Sequence, residues 1–238
     1  MRTRLSVNLN KIALIRNARG ANLPDLVQIA KDCEAYGADG ITVHPRPDER
    51  HVRRSDVAEL KEIVTTEFNV EGNPTEDFIE LVLAHRPHQV TLVPDAPGAL
   101  TSDAGWDTVT HKDFLRDTIQ RLQAAGMRVS IFVDPVERML DGAKEVGTDR
   151  IEFYTGDYAK AYPKNPAAAV ADFERCAKHA NNLGLGINAG HDLNLDHLTY
   201  FKQHMPGLLE VSIGQALVSD ALYYGLSNTI QMYQRCLR

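Results

Sequence analysis

The sequence predicts an α/β fold: a (β/α)8 TIM barrel with additional helices, spanning residues 1–238 as one domain. Three observations carry this expectation. Eight short β-rich runs alternate with helical patterns along the chain, and eight parallel strands is the number that closes such a barrel. A glycine stands where a helical pattern stops and a β-rich run follows, at Gly37, Gly126, Gly147 and Gly184, and glycine suits the left-handed residue that ends a helix. Polar residues able to do chemistry recur where the runs end, at Asn8, His44, Glu71 and His191, and the carboxyl ends of barrel strands open into one mouth.

The first run, 5–9, passes into Asn8-Leu9-Asn10-Lys11 rather than the glycine-rich turn of a dinucleotide-binding open sheet. A helix over 24–36 leads through Gly37 to strand 40–44. Ser55-Asp56 opens a helix over 55–66 before strand 68–71, and Thr75-Glu76-Asp77 opens helix 75–85 before strand 89–93. The connection 94–111 is long for a βα joint and holds the only tryptophan, Trp106, as expected of a lid or binding segment. Helices 112–125 and 136–146 flank strand 127–134, and strand 150–154 follows Gly147. A second long connection, 155–166, contains Gly156, Pro163 and Pro166. Helix 167–183, strand 185–190, helix 194–204, strand 208–213 and a long helix 216–236 complete the chain. The strands read as mostly continuous apolar runs, the pattern of strands covered on both faces.

With 43% hydrophobic and 24% charged residues, the chain has the make-up of a globular protein able to bury a sizeable core. A net charge of −6 argues against a nucleic-acid or membrane-surface partner, so an anionic ligand must be held by local cations. No apolar stretch reaches the roughly 20 residues that span a bilayer. Met1-Arg2-Thr3-Arg4 runs into a strand without a signal-peptide core, so a cytoplasmic location is expected. Cys33, Cys176 and Cys236 are odd in number, widely spaced and on helical patterns, as packing residues are.

His44 follows Ile41-Thr42-Val43 at the expected mouth, where an imidazole exchanges protons near neutral pH. Glu71 closes the third run, where partial burial raises a carboxyl group toward the range of a general acid or base. Glu152, read as ending the strand 150–154, offers a second carboxylate or orients a histidine. A core histidine and structural ion pairs are the ordinary alternatives for these three. His191 follows the seventh run, where barrel enzymes place phosphate-binding or catalytic loops, and Gly214 lets an anion approach the start of the next helix. Arg16, Arg19, Arg46, Arg50, His51, Arg53 and Arg54 gather near the mouth and suit phosphate esters, with Arg53 and Arg54 read as solvated charges. His44, Glu71 and His191 lack the close ligand pair of a metal motif, so no metal is expected.

Segments 8–20 (NLNKIALIRNARG), 37–46 (GADGITVHPR), 69–71 (NVE), 92–94 (LVP), 151–156 (IEFYTG) and 188–191 (NAGH) together resemble the pyridoxine 5′-phosphate synthase family, in order and over nearly the whole chain. The resemblance implies a homo-oligomer, an octamer, that uses no metal or organic cofactor. It implies condensation of two phosphorylated small molecules, 3-amino-2-oxopropyl phosphate and 1-deoxy-D-xylulose 5-phosphate, to pyridoxine 5′-phosphate, inorganic phosphate and water, the last step of a de novo vitamin B6 route. By position, His44 and Glu71 look like the family's proton-transfer residues, His191 its proton donor and Glu152 a stabiliser of charged intermediates. Asn8, Arg19, Arg46, His51 and Thr101 fall where the family binds its substrates, as do Asp192, Gly214 and Gln215. Closure of 94–111 would keep water from imine and enamine intermediates.

The chain departs from the commoner family pattern at Asn10-Lys11 in place of an Asp-His pair, at Asp192 in place of Gly, and at Gln215 in place of His. Three other readings stay open on the residues. One is another phosphate-binding barrel lyase or isomerase, one a Schiff-base aldolase using Lys11, and one a non-catalytic barrel that binds a B6 vitamer.

Overall fold

The computed structural model describes residues 2–95 and 104–238. Among them, strands β1 (Arg4–Asn8), β2 (Gly40–Val43), β3 (Glu67–Gly72), β4 (Gln89–Leu92), β5 (Arg128–Val133), β6 (Arg150–Tyr154), β7 (Gly186–His191) and β8 (Leu208–Ile213) pair in parallel in chain order. β8 then pairs with β1 and closes the barrel. Each predicted strand is present within one residue of its expected bounds.

Helices α1 (Asn10–Asn17), α2 (Leu26–Ala35), α3 (Arg54–Ile63), α4 (Glu76–His85), α5 (Lys112–Ala124) and α6 (Glu137–Val146) connect the first six strands. α7 (Gly156–Ala161), α8 (Pro166–Leu183), α9 (Leu198–His204), α10 (Gln215–Tyr224) and α11 (Leu226–Cys236) follow. Thr75 caps α4 by accepting from the Phe78 N–H. Gly147 and Gly184 end α6 and α8 in the left-handed conformation, with φ of 80° and 72°. No helix among the described residues is long and apolar enough to cross a membrane.

Three helical features differ from the sequence reading. α1 starts directly after β1 with neither a side-chain cap nor a first-turn acid, so it carries no start signal. The connection 155–166 is not open, because α7 fills its first half and buries Tyr158, whose hydroxyl donates to the His197 carbonyl at 2.8 Å. The expected terminal helix is two, parted at Gly225, where φ is +76°.

The strands also alternate rather than run continuously apolar. Leu5 and Val7, Ile41 and Val43, Phe68 and Val70, and Val211 and Ile213 belong to the buried apolar core. The residues between them are Ser6, Thr42, Asn69 and Ser212. A period of two sends that second set into the barrel interior, while the first set lies under the helices. Inside, Ser6 Oγ and Thr42 Oγ1 lie 2.7 Å apart, and Thr91 Oγ1 donates to Asn69 Oδ1 at 3.0 Å. Nearer the amino ends, Glu67 of β3 is paired with Arg4 of β1 at 2.9 Å, with Arg128 of β5, and with Arg150 of β6 at 3.9 Å. Those strands are not neighbours of β3, so the contacts cross the interior. Most of these polar groups satisfy one another, while Ser130 Oγ, Asn188 Nδ2 and Glu210 Oε2 find no hydrogen-bond partner among the described residues.

Burial pushes Glu67 upward, but Arg128, Arg4 and Arg150 outweigh it and hold the carboxyl below its ordinary value. Glu210 of β8 is different. Burial first, and Glu67 second, push it up to about 8, and its Oε2 has no hydrogen-bond partner among the described residues. The folded chain therefore keeps the Glu210 proton to about pH 8, whereas an unfolded chain releases it near 4.5. Stability tied to this proton is intact below the lower value and drains away as pH rises to the upper one, a loss of up to about 5 kcal/mol. Glu210→Gln cannot ionise. In denaturant titrations it is expected to match the parent protein near about pH 5 and to exceed its stability near about pH 9; equal stability at both pH values would contradict a buried, proton-holding Glu210.

Candidate active site

The mouth at the carboxyl ends of the strands holds a cavity of about 360 Å³. Its wall includes Asn8 from β1, His44, Arg46 and His51 from the segment after β2, Glu71 from β3 and Glu152 from β6. His191 and Asp192 join it at the end of β7, and Gly214 and Gln215 where β8 turns into α10. Arg19 is not on this wall but lies exposed after α1, and Thr101 lies outside the described residues.

Two asparagines set the geometry around His44. Asn10 Oδ1 accepts from the His44 N–H at 2.8 Å, while Asn8 Oδ1 accepts from the Asn10 N–H at 3.0 Å. The other end of the Asn8 amide donates to Glu71 Oε2 at 3.4 Å. An amide supplies donor and acceptor together, which an ionised Asp does not. Asn8 uses both ends, whereas Asn10 only accepts, as a carboxylate also would, so the departure at Asn10 keeps a backbone brace for His44. The His44 ring lies between two carboxylates, with Nδ1 4.0 Å from Glu71 Oε2 and Nε2 3.9 Å from Asp95 Oδ2.

Burial dominates the protonation of the site. It raises Glu71 to about 7, the nearby His191 pulling the other way, Asp95 adding to the rise, and a hydrogen bond from Ser212 opposing it. Expected at the end of β6, Glu152 is instead its middle residue and points into the barrel. Burial, then Glu71 and Glu210, push it well above the ordinary value, toward its neutral form. His44 is driven well below the ordinary histidine value by burial and then by Arg46, His51, His191 and Arg50. His51 falls to about 4 through burial and then Arg46 and Lys11, and its Nδ1 accepts from the Val52 N–H at 2.9 Å. The His51 proton therefore resides on Nε2, a neutral donor.

His191 sits at a φ of +77°, unusual for a residue with a side chain and costly by roughly 1–3 kcal/mol. Its Nδ1 lies 2.6 Å from Asp192 Oδ2, and this contact holds the Asp192 carboxyl below the usual range despite burial. Asp192, expected to touch substrate, is thus paired with His191. The preceding Gly190 has no room for a side chain, since a Cβ would stand 2.6 Å from the Ser212 carbonyl oxygen and 2.7 Å from the Glu152 carboxyl. On the neighbouring strand end, buried Gly214 starts α10 without a side-chain cap, leaving helix-start N–H groups for an anion.

The arginine cluster divides. Arg46 and Arg50 line the cavity. Arg16 does not serve it, being 3% exposed and forked onto Asp56 at 2.7 and 2.9 Å, with a further bond to the His51 carbonyl at 3.2 Å. Arg53 donates to Asn17 Oδ1 at 2.9 Å and exposed Arg54 to the Asp77 carbonyl at 2.9 Å. The sequence reading missed Asp95 and Ser212 as site residues. Ser212 is legible in the alternation of β8, but Asp95 carries no signal beyond its place just after β4. Among the described residues, no group of three or more His, Cys, Asp and Glu side chains is arranged to hold a metal ion.

The profile of the family described as pyridoxal phosphate biosynthesis protein PdxJ matches residues 5–238. A pyridoxine 5′-phosphate synthase of Cytophaga hutchinsonii is 60% identical over 99% of this chain and 99% of its own. Another, of Bacteroides fragilis, is 59% identical over 99% of this chain and all of its own. Among solved structures, tryptophan synthase from M. tuberculosis covers the whole of this chain and 93% of its own at 15% identity, with a TM-score of 0.67. Phosphoribosylanthranilate isomerase from Thermotoga maritima covers 99% of this chain and 98% of its own at 12% identity, with a TM-score of 0.61. Both are similar in fold.

Breaking the Arg16–Asp56 pair leaves a buried guanidinium without its carboxylate. Asp56→Ala is expected to lose about 3–5 kcal/mol of unfolding free energy in urea titrations. A loss below about 1 kcal/mol, the value of a surface pair, would contradict a bracing role.

Proposed function

The chain belongs to the pyridoxal phosphate biosynthesis protein PdxJ family, and from that membership we propose that it is a pyridoxine 5′-phosphate synthase. In this reading it condenses 3-amino-2-oxopropyl phosphate with 1-deoxy-D-xylulose 5-phosphate, releasing inorganic phosphate and water. The observation that carries the reading is the meeting of Glu71, His44, His191 and Glu152 around one cavity that also holds Arg46, His51, Lys11 and an uncapped helix start. Amine addition to a ketone, loss of water, phosphate elimination and ring closure each move protons, and grouped acids and bases serve such steps.

Arg46, with a forked guanidinium, and His51, with a neutral N–H, bind one phosphate; the start of α10 at Gly214 binds the other. Gln215, first in α10, donates to Ser219 Oγ at 3.3 Å. Lys11 serves as a local cation, in keeping with its lowering of His51. A phosphate dianion opposes the field of Arg46 and Arg50 that suppresses the His44 proton, so substrate binding raises the basicity of His44 as chemistry begins. Glu71 takes and returns protons, His191 donates one with Asp192 fixing its ring, and neutral Glu152 donates a hydrogen bond to developing negative charge. Self-assembly is supported by exposed apolar side chains on α1 and α10, including Leu222 at 76% and Tyr223 at 86% exposure.

The test is formation of pyridoxine 5′-phosphate and inorganic phosphate in equal amounts, with both substrates required. Folded protein that binds either substrate without forming product would overturn the reading. Glu71→Gln is expected to lower kcat by about 10²–10⁴. As a base, Glu71 must be ionised, so kcat/KM is expected to climb with pH through about 7 in the parent protein, with that inflection missing from Glu71→Gln. A parent profile flat through this region would remove Glu71 from the role.

A further inference from the structure

Arg46 is engaged. Its Nη2 meets Asp95 Oδ2 at 2.5 Å, and both side chains are 8% exposed. Asp95 stands just past β4, its backbone carbonyl held by the Asn73 amide at 2.8 Å, and its carboxylate also lies 3.9 Å from His44 Nε2. It pushes Glu71 upward as well, so it exerts its charge at the centre of the mouth. A carboxylate offers a guanidinium two oxygens in a plane, the same geometry that a phosphate offers. A dianion placed on Arg46 while Asp95 keeps its contact would bring like charges together beside two largely buried side chains.

We propose that Asp95 is an internal competitor for Arg46, occupying the guanidinium when the mouth is empty and being displaced by the phosphate group of the incoming substrate. This rests on the reading of Arg46 as a phosphate ligand. Displacement turns the Asp95 carboxylate away from the guanidinium while its backbone stays tied to Asn73. The contact has two consequences. It keeps the empty mouth near charge balance, and it weakens retention of inorganic phosphate, so that a phosphate released in turnover meets a carboxylate ready to retake Arg46. Asp95 thus acts through Arg46, as a positioning residue that sets how tightly phosphate is held.

The experiment is calorimetric titration of inorganic phosphate into the parent protein, Asp95→Asn, Arg46→Gln and the double variant at one pH. Asp95→Asn is expected to bind phosphate at least about threefold more tightly, with Asp95→Glu close to the parent. Arg46→Gln is expected to weaken binding, and Asp95→Asn to have no effect in the Arg46→Gln background. Unchanged or weaker binding by Asp95→Asn, with Arg46→Gln still weakened, overturns the competitor role alone. Unchanged binding by Arg46→Gln removes phosphate from Arg46 and the competitor role with it. A crystal structure of the parent protein with phosphate gives a readout independent of any variant. Arg46 and Asp95 are expected beyond the roughly 4 Å of an ion pair; phosphate seated on Arg46 with the Asp95 contact kept would overturn the proposal.

Discussion

One carboxylate, Glu67, is shared by arginines from three strands that do not neighbour its own, and the polar interior of the barrel is organised around it. Its three pairs tie β1, β3, β5 and β6 together near their amino ends, so the inward phase of each is set by the others. A slip of one residue in any of them would swing an aliphatic side chain into this network and a charged one under the helices, and closure of the ring leaves no free edge to absorb the error. Asn8, His44 and Glu71 are the outermost layer of the same alternation, Glu152 lies one step deeper, and His191 reaches the mouth through its left-handed backbone. Arg4, Ser6 and Asn8 point inward in sequence along β1, and Glu67, Asn69 and Glu71 along β3. What holds the bottom in register therefore aims the mouth.

A polar interior of this kind creates an electrostatic problem that the chain solves through protonation. Glu71, Glu152 and Glu210 are raised, and His44 and His51 are lowered, so acids and bases alike move toward their neutral forms. Glu67 among three guanidiniums, and Asp192 against His191, are held more acidic instead. Neutral acids and bases in a partly dry mouth are poised rather than inert, because an added charge shifts several of them at once. In the proposed function two phosphate groups are such a charge, opposing the cations that add to burial in suppressing His44.

The fold was legible because its signals are local. Gly147 and Gly184 end helices as left-handed residues, Thr75 caps one, and the β-rich runs lie within a residue of the strands. The polar interior was legible too, in Arg-Leu-Ser-Val-Asn and Glu-Phe-Asn-Val-Glu, but the frequent valines, leucines and isoleucines mask a period of two when a run is only four to six residues long. α1 and Asp95 were not legible, the first for want of a cap and the second because its importance comes from partners on another strand's loop. His44, Glu71 and His191 were legible through their place at strand ends, while the pairing of His191 with Asp192 depends on a backbone conformation that sequence does not announce.

Arg16 and Arg46 show why an arginine near a mouth has no fixed meaning until its carboxylate is located. Both are buried, and both meet an aspartate. Asp56 is committed, because its two oxygens take the Arg16 fork while Oδ2 also accepts from the Arg53 N–H at 2.7 Å, closing the first turn of α3. Removing that carboxylate would open a helix start and leave a buried guanidinium without its counter-charge, so the pair acts as a brace. Among the described residues, Asp95 caps no helix. It shares its charge among Arg46, His44 and Glu71, all three of which face the cavity. A carboxylate spread over partners that an arriving anion also reaches is the one suited to the proposed exchange, and its contact with Arg46 is the one that exchange makes reversible.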